Sequence, residues 1–239
     1  MLNLIRLELR KINFKKYLGG YLVSMMVLIA FVVAMFYALL NPELMDMELN
    51  GEKLVVEYDS IIKFIETLTA LTFTIFSSVI LSRLVIGEYK NKTITLMFMY
   101  PINRKKLIFS KLLIVFLFTY LSILIADVLM GSVFILMNSY FHLITEKQTV
   151  EFIYATLIGF VFQALSSAGV SLIPLFFGMR KKSVPTTILS AVLISCFIYG
   201  NIGNVNLSSI VIIPVTLALA GILIAYLSIR NIEHADVTN

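Results

Sequence analysis

The stretch LGGYLVSMMVLIAFVVAMFYALL, Leu18 to Leu40, decides the fold class. It carries no charge, and about 20 mainly apolar residues suffice to cross a bilayer as a helix. Five more apolar runs follow: about 61–86 with its centre at 68–81, about 107–137, about 152–178, the short and serine-bearing 184–199, and about 210–229. Hydrophobic residues make up 59% of the chain and charged ones 14%, against roughly a quarter charged in a soluble domain. One core of this size cannot hide so much apolar surface, so the solvent is lipid. The continuous runs also exclude an outer-membrane barrel, whose strands alternate apolar and polar over about ten residues.

The reading is therefore an all-α membrane protein, a single transmembrane domain over residues 1–239 with six transmembrane helices. Positive charge gives the orientation. Arg6, Arg10, Lys11, Lys15 and Lys16 precede the first span. Lys90, Lys92, Arg104, Lys105 and Lys106 fill the second connection, with Arg83 and Lys111 at its edges. Arg180, Lys181 and Lys182 fill the fourth, and Arg230 opens the tail. The other connections hold only Lys53 and Lys147, with Lys63 nearby. This alternation puts both termini in the cytoplasm and accounts for the formal net charge of +5 without a nucleic-acid partner. With no tryptophan, Tyr17, Tyr21, Tyr37, Tyr89, Tyr100, Tyr140, Tyr154, Tyr199 and Tyr226 supply the interfacial belt, and Tyr120 lies inside span three. The first apolar run is too long for a signal peptide and lacks a small-residue cleavage site, so it reads as a retained span. The single cysteine, Cys196, forms no disulfide within the chain and says nothing of redox compartment.

Outside the bilayer, residues 1–16 place Leu2, Ile5, Leu9 and Ile12 on one side at helical spacing and Arg6 and Arg10 on the other. Two readings fit: an amphipathic helix on the inner membrane surface, or a basic anchor serving topology alone. The acidic segment 41–60 reads as a solvated outer loop or as an attractor of cationic ligands.

Catalytic signatures are missing. The sequence has no GxxxxGK[ST] loop and no HExxH, and its only histidines are His142 and His234. With one cysteine besides, a transition-metal site is not expected. Ser166 and Ser167 lie deep in span four, far from any base, and read as close helix packing or a polar lining. Ionisable groups at depth are costly and carry a functional hypothesis. Asp127 lies 21 residues after Lys106, roughly a bilayer core away at about 1.5 Å per residue. That spacing puts it near the outer leaflet's edge, in a translocation path, in an inter-helix contact or snorkelling to the interface. Lys63 and Glu66, three apart on span two, could pair with each other, stand at a pore mouth or snorkel to the interface. Gln163 faces other helices or a cavity.

The second connection, EYKNKTITLMFMYPINRKKLIFSK from Glu88 to Lys111, gathers charge that the rest of the chain avoids. Residues 93–100 are too short to span, and Pro101 ends any helix there. A short apolar helix between basic flanks either floats on headgroups or plugs into a protein. The pattern Glu88–Thr93–Leu96–Pro101–Arg104–Lys111 resembles the first cytoplasmic loop of ABC-2 type transporter permeases. The basic arm and the six-span layout are similar too, so the resemblance covers nearly the whole chain. It looks most like permeases of bacterial peptide-antibiotic export and immunity systems.

The resemblance implies an ABC-2 (type V exporter-like) fold in which the arm is an interfacial helix. Loop 87–106 would carry a coupling helix that docks on a separate ABC ATPase subunit. Phe98 and Met99 would seat in an apolar groove there. It also implies a second permease chain, identical or related. ATP and magnesium would belong to the ATPase, so this chain is not an enzyme and binds no cofactor itself. The expected cargo is an amphipathic peptide or lipid-like compound, and the expected place is a bacterial cell membrane. The fifth connection, 200–208, departs from the pattern: it is short and uncharged, where several family members carry small re-entrant helices. The rival readings are a self-contained channel, which would show a polar line through one helix, and an intramembrane hydrolase, which lacks a base or metal set.

Overall fold

The structure is a computed structural model that describes residues 14–40, 58–90, 104–141, 150–202, 205–206 and 212–231. Its helices are α1 (Phe14–Leu40), α2 (Tyr58–Leu81), α3 (Gly87–Lys90), α4 (Arg104–Phe141), α5 (Val150–Val170), α6 (Pro174–Lys181), α7 (Val184–Tyr199) and α8 (Ile212–Asn231). A π-helical turn, Ser82–Ile86, joins α2 to α3. Two-residue strands β1 (Asn201–Ile202) and β2 (Val205–Asn206) pair antiparallel after α7.

These pieces make six helical rods: α1, α2 with the π-turn and α3, α4, α5 with α6, α7, and α8. Four are long and apolar enough to cross a membrane: Tyr17–Leu40, Tyr58–Ile86, Lys106–Phe141 and Val150–Lys181. The apolar parts of α7 and α8, Val184–Tyr199 and Val215–Leu227, are shorter. The all-α membrane architecture expected from hydropathy is the one observed.

The fourth rod is interrupted. Pro174 has no N–H, and its ring clashes with the carbonyl four residues back. The chain tightens there, with Ile173 donating to the Val170 carbonyl (3.0 Å) and Leu172 to that of Gly169 (3.1 Å). These three-residue bonds satisfy carbonyls that lipid cannot serve. The rod resumes at Pro174, in the first turn of a helix, where the missing donor costs nothing.

Polarity is arranged around lipid. On α1, Leu22, Val23, Met26 and Val27 face outward, and on α7 so do Leu189, Leu193 and Phe197, one turn apart. Thr69, Thr74, Ser77, Ser78 and Ser82 of the second rod turn inward. Many hydroxyls bond back into their own helix, as Ser24 does to the Gly20 carbonyl (3.0 Å) and Ser110 to that of Lys106 (2.8 Å). That removes the penalty of an unpaired hydroxyl in hydrocarbon.

α2 lies at the centre, packed on α4, α7 and α5. An aromatic cluster of Phe36, Tyr58, Phe134 and Phe152 closes one end of the bundle, around buried Ile62, Ile65 and Met130. Ile80, Leu84, Ile108, Leu112 and Leu175 fill the other. α8 is held against α5 by missing side chains. A Cβ on Gly169 would stand 2.6 Å from that of Ala218, and one on Gly221 would run into the Gly169 carbonyl oxygen. Small residues let two backbones approach where no hydrophobic effect drives them together.

Candidate coupling site and buried polar seam

The base of the 88–111 connection is stapled. Lys111, on the second full turn of α4, is buried, and its ammonium forms an ion pair with Glu88 of α3. The Lys111 side chain is 2% exposed and that of Glu88 15%. Lys111 Nζ also donates to the Leu84 carbonyl at 3.3 Å. Leu84 lies within the π-turn, where bonding skips to the fifth residue; Gly87 N–H accordingly reaches the Ser82 carbonyl. The two ends of the loop, 23 residues apart, are thus tied by a charge-assisted contact at the end of the bundle that holds Arg83, Lys106, Arg180 and Lys181.

The same turn touches the fourth connection. Ile86 packs at Gly178, where an added Cβ would meet its Cδ1 at 3.0 Å and would also strike the Thr187 hydroxyl. Gly178 therefore lets α6, α7 and the end of the second rod converge. Lys182, at φ 46°, turns the chain left-handed between α6 and α7, and its N–H bonds back to the Gly178 carbonyl. The π-turn at the loop base thus packs on both α6 and α7.

Further into the bundle runs a polar seam. Thr119 of α4 donates to Ser77 Oγ of α2 at 2.7 Å. Thr69 of α2 is hydrogen-bonded to Asp127 of α4. The Tyr199 hydroxyl of α7 donates to Ser167 Oγ of α5 at 2.8 Å. Glu66, half-buried, lies over α5, its Oε1 3.5 Å from where a Cβ on Gly159 would stand. Gln163, also half-buried, stands one turn from Gly159 and one from Ser167.

Two expectations are corrected. Lys63 does not pair with Glu66; both Lys63 and Asp59 are exposed, and they form an ion pair one turn apart. The i, i+4 reach toward the helix end leaves both charges in water, whereas Glu66 points inward. Asp127 does not snorkel to an interface. It is 0% exposed, enclosed between α2 and α4. Of the placements its spacing allowed, the structure shows the inter-helix contact, with Thr69 of α2 as the partner. A residue count along α4 carries no information about what α2 brings alongside.

Ser166 and Ser167 are buried where α5 meets the bundle, and the partner of Ser167 is a phenol. Thr93, Leu96, Phe98, Met99 and Pro101 lie outside the described residues, as do Leu2, Ile5, Arg6, Leu9, Arg10 and Ile12. Arg104 opens α4, with its side chain outside that set. Sequence reasoning missed Thr69, the Tyr199–Ser167 bond and the Gly169–Ala218–Gly221 crossing. The last had a legible signal in the small residues of span six. The first two had none, since a threonine in a helix and a tyrosine at its end are ordinary.

This arrangement, an apolar bundle of six rods with a stapled loop at its basic end and no nucleotide-binding motif in its sequence, is that of a transporter's membrane subunit. The chain belongs to the ABC-2 transporter family: the sequence profile described as ABC-2 family transporter protein matches residues 4–198. An uncharacterised Bacillus subtilis protein, YcbO, is 37% identical over 235 residues, covering 98% of this chain and 100% of that protein. No solved structure matches.

Proposed function

We propose that this chain is the permease of an ATP-driven exporter that moves an amphipathic peptide or lipid-like compound across a bacterial cell membrane. Both termini lie in the cytoplasm. Loop 87–106 docks on a separate ABC ATPase, with Phe98 and Met99 in an apolar groove and Arg104 and the neighbouring lysines toward acidic rim residues or lipid phosphates. Two permease chains assemble with two ATPase subunits, and residues 1–16 lie on the inner surface beside the loop.

The observation that carries this reading is the Glu88–Lys111 staple. A loop that merely reversed the chain needs no buried ion pair at its base. A loop that transmits force does, because slack at its ends would absorb the motion of the docked subunit. The packing of the π-turn on α6 and α7, with Ile86 against Gly178, continues that stiff path. The choice of cargo rests on the composition of the spans, apolar with scattered Ser, Thr and Gln, which suits neither ions nor sugars.

Co-purification with a candidate ABC ATPase subunit tests the reading. The natural chain is expected to hold the ATPase in detergent, and Phe98→Ala to release it and abolish transport while keeping the fold. Failure of the natural chain to bind any ATPase, together with ion conductance in liposomes, would replace this reading with a channel.

A further inference from the structure

α4 and α8 do not close on each other at the basic end of the bundle. The Gly169–Ala218–Gly221 crossing draws α8 onto α5, and α8 leans on α4 far less. A groove of about 290 Å³ is left between them. Phe109 and Phe116 line its α4 wall, Ile222 and Tyr226 its α8 wall, and Leu172 and Ala225 its floor. Leu172 belongs to the interruption of the fourth rod before Pro174. The seven residues from Phe109 to Phe116 make the α4 wall about 10 Å long. The floor is buried, while Phe109, Ile222 and Tyr226 are exposed, so the groove opens sideways to the bilayer.

Apart from the Tyr226 hydroxyl, the side chains that line the groove are apolar. Water finds no partners in such a place, and an empty groove would leave its walls without contacts on one side. In a membrane the filler at hand is an acyl chain. Moving a chain from bulk lipid into the groove gains no hydrophobic energy, because lipid tails are as apolar as leucine. A lipid that stays there is therefore held by its headgroup. The mouth supplies the holder. Lys106 is exposed and precedes Phe109 by three residues, which puts both on one face of α4. Arg230 follows Tyr226 by four residues, one turn nearer the same end of the bundle. Neither α8 nor the first three turns of α4 holds an acidic residue. Among the described residues the acid at this end is Glu88, and it pairs with Lys111. A basic mouth over an apolar slot between spanning helices selects an acidic headgroup.

We infer that this groove binds an anionic phospholipid of the surrounding bilayer, one acyl chain lying between α4 and α8 and the headgroup phosphate at the level of Lys106. The inference stands apart from the export reading, since it needs only this chain in a membrane.

Fluorescence quenching tests it. The chain has no tryptophan, so Phe109→Trp sets a single fluorophore in the groove wall. The full chain is placed in liposomes of phosphatidylglycerol mixed with phosphatidylcholine, with bromine, a contact quencher, on the acyl chains of one lipid or the other. Phosphatidylglycerol is expected to occupy the groove with at least about a five-fold preference, the effect of one basic residue near an anionic lipid. Lys106→Gln in the same background should remove most of that preference. Leu189→Trp, exposed on α7 at the same end of the bundle, reads the bulk bilayer and should show little preference. Equal quenching by the two lipids at Phe109→Trp, a preference unmoved by Lys106→Gln, or the same preference at Leu189→Trp overturns the inference. Absence of quenching by either lipid also overturns it, because another segment or a second copy of the chain then covers the groove. Should Phe109→Trp not fold, Tyr226→Trp probes the opposite wall, with the same expected and refuting results.

Discussion

Changing Lys111 to Met removes one half of a buried ion pair while keeping a long unbranched side chain. The structure sets the size and the asymmetry of the effect. Glu88 keeps 15% of its side chain exposed, so water partly hydrates the carboxylate left behind. The loss is expected at the low end of the range for a broken buried pair, about 3 kcal/mol. In Glu88→Gln the stranded charge is the Lys111 ammonium, 2% exposed, and the loss is expected near the upper end, about 5 kcal/mol. These are roughly hundred-fold and several-thousand-fold changes in a folding equilibrium. The double variant Glu88→Gln, Lys111→Met leaves no charge to strand, so it should return to within about 1.5 kcal/mol of the natural chain. The assay is a double-mutant cycle on denaturant unfolding in detergent micelles, with limited proteolysis of loop 88–111 as a local probe. Each single variant should expose the loop to cleavage, and the double variant should fold but couple poorly to its ATPase. Additive single effects, or a Lys111→Met loss larger than that of Glu88→Gln, would refute the staple as described.

Gly221→Val drives a side chain into the Gly169 carbonyl oxygen, which is backbone and cannot yield. It should cost about 1–3 kcal/mol by overpacking and detach α8 from α5, as read by unfolding and by cysteine cross-linking between those helices. Gly19→Ala, which meets nothing within 4 Å, is the silent control. Tyr199→Phe removes the donor to Ser167 and should lower thermal stability by about 0.5–1.5 kcal/mol. Adding Ser167→Ala should then cost little more, and a full additional loss in the unfolding curve would show that the two hydroxyls act separately.

Hydropathy and charge determined the architecture. A helix in lipid satisfies its own backbone, so each span is a local property that a sum over about 20 residues can read. The same locality made the basic connections legible, and with them the loop that marks the family. Lys63 shows where such reading stops. Its spacing allowed a partner one turn up or one turn down, and helix direction and burial chose Asp59. Asp127 shows it more sharply, because residue counting gives distance along one helix and says nothing of what a neighbouring helix brings alongside. Thr69 is 58 residues away in sequence, and Glu88 is 23 from Lys111. Tyr199 and Ser167 meet across 32 residues. Those contacts depend on the crossing angles of rigid rods, which glycines, a π-turn and a broken fourth span set together. The sequence by itself determined that the chain lies in a membrane, how many helical rods it forms and which connections are basic. Only the tertiary structure decided which buried polar groups meet, because in lipid each must find its partner on another helix or on its own backbone.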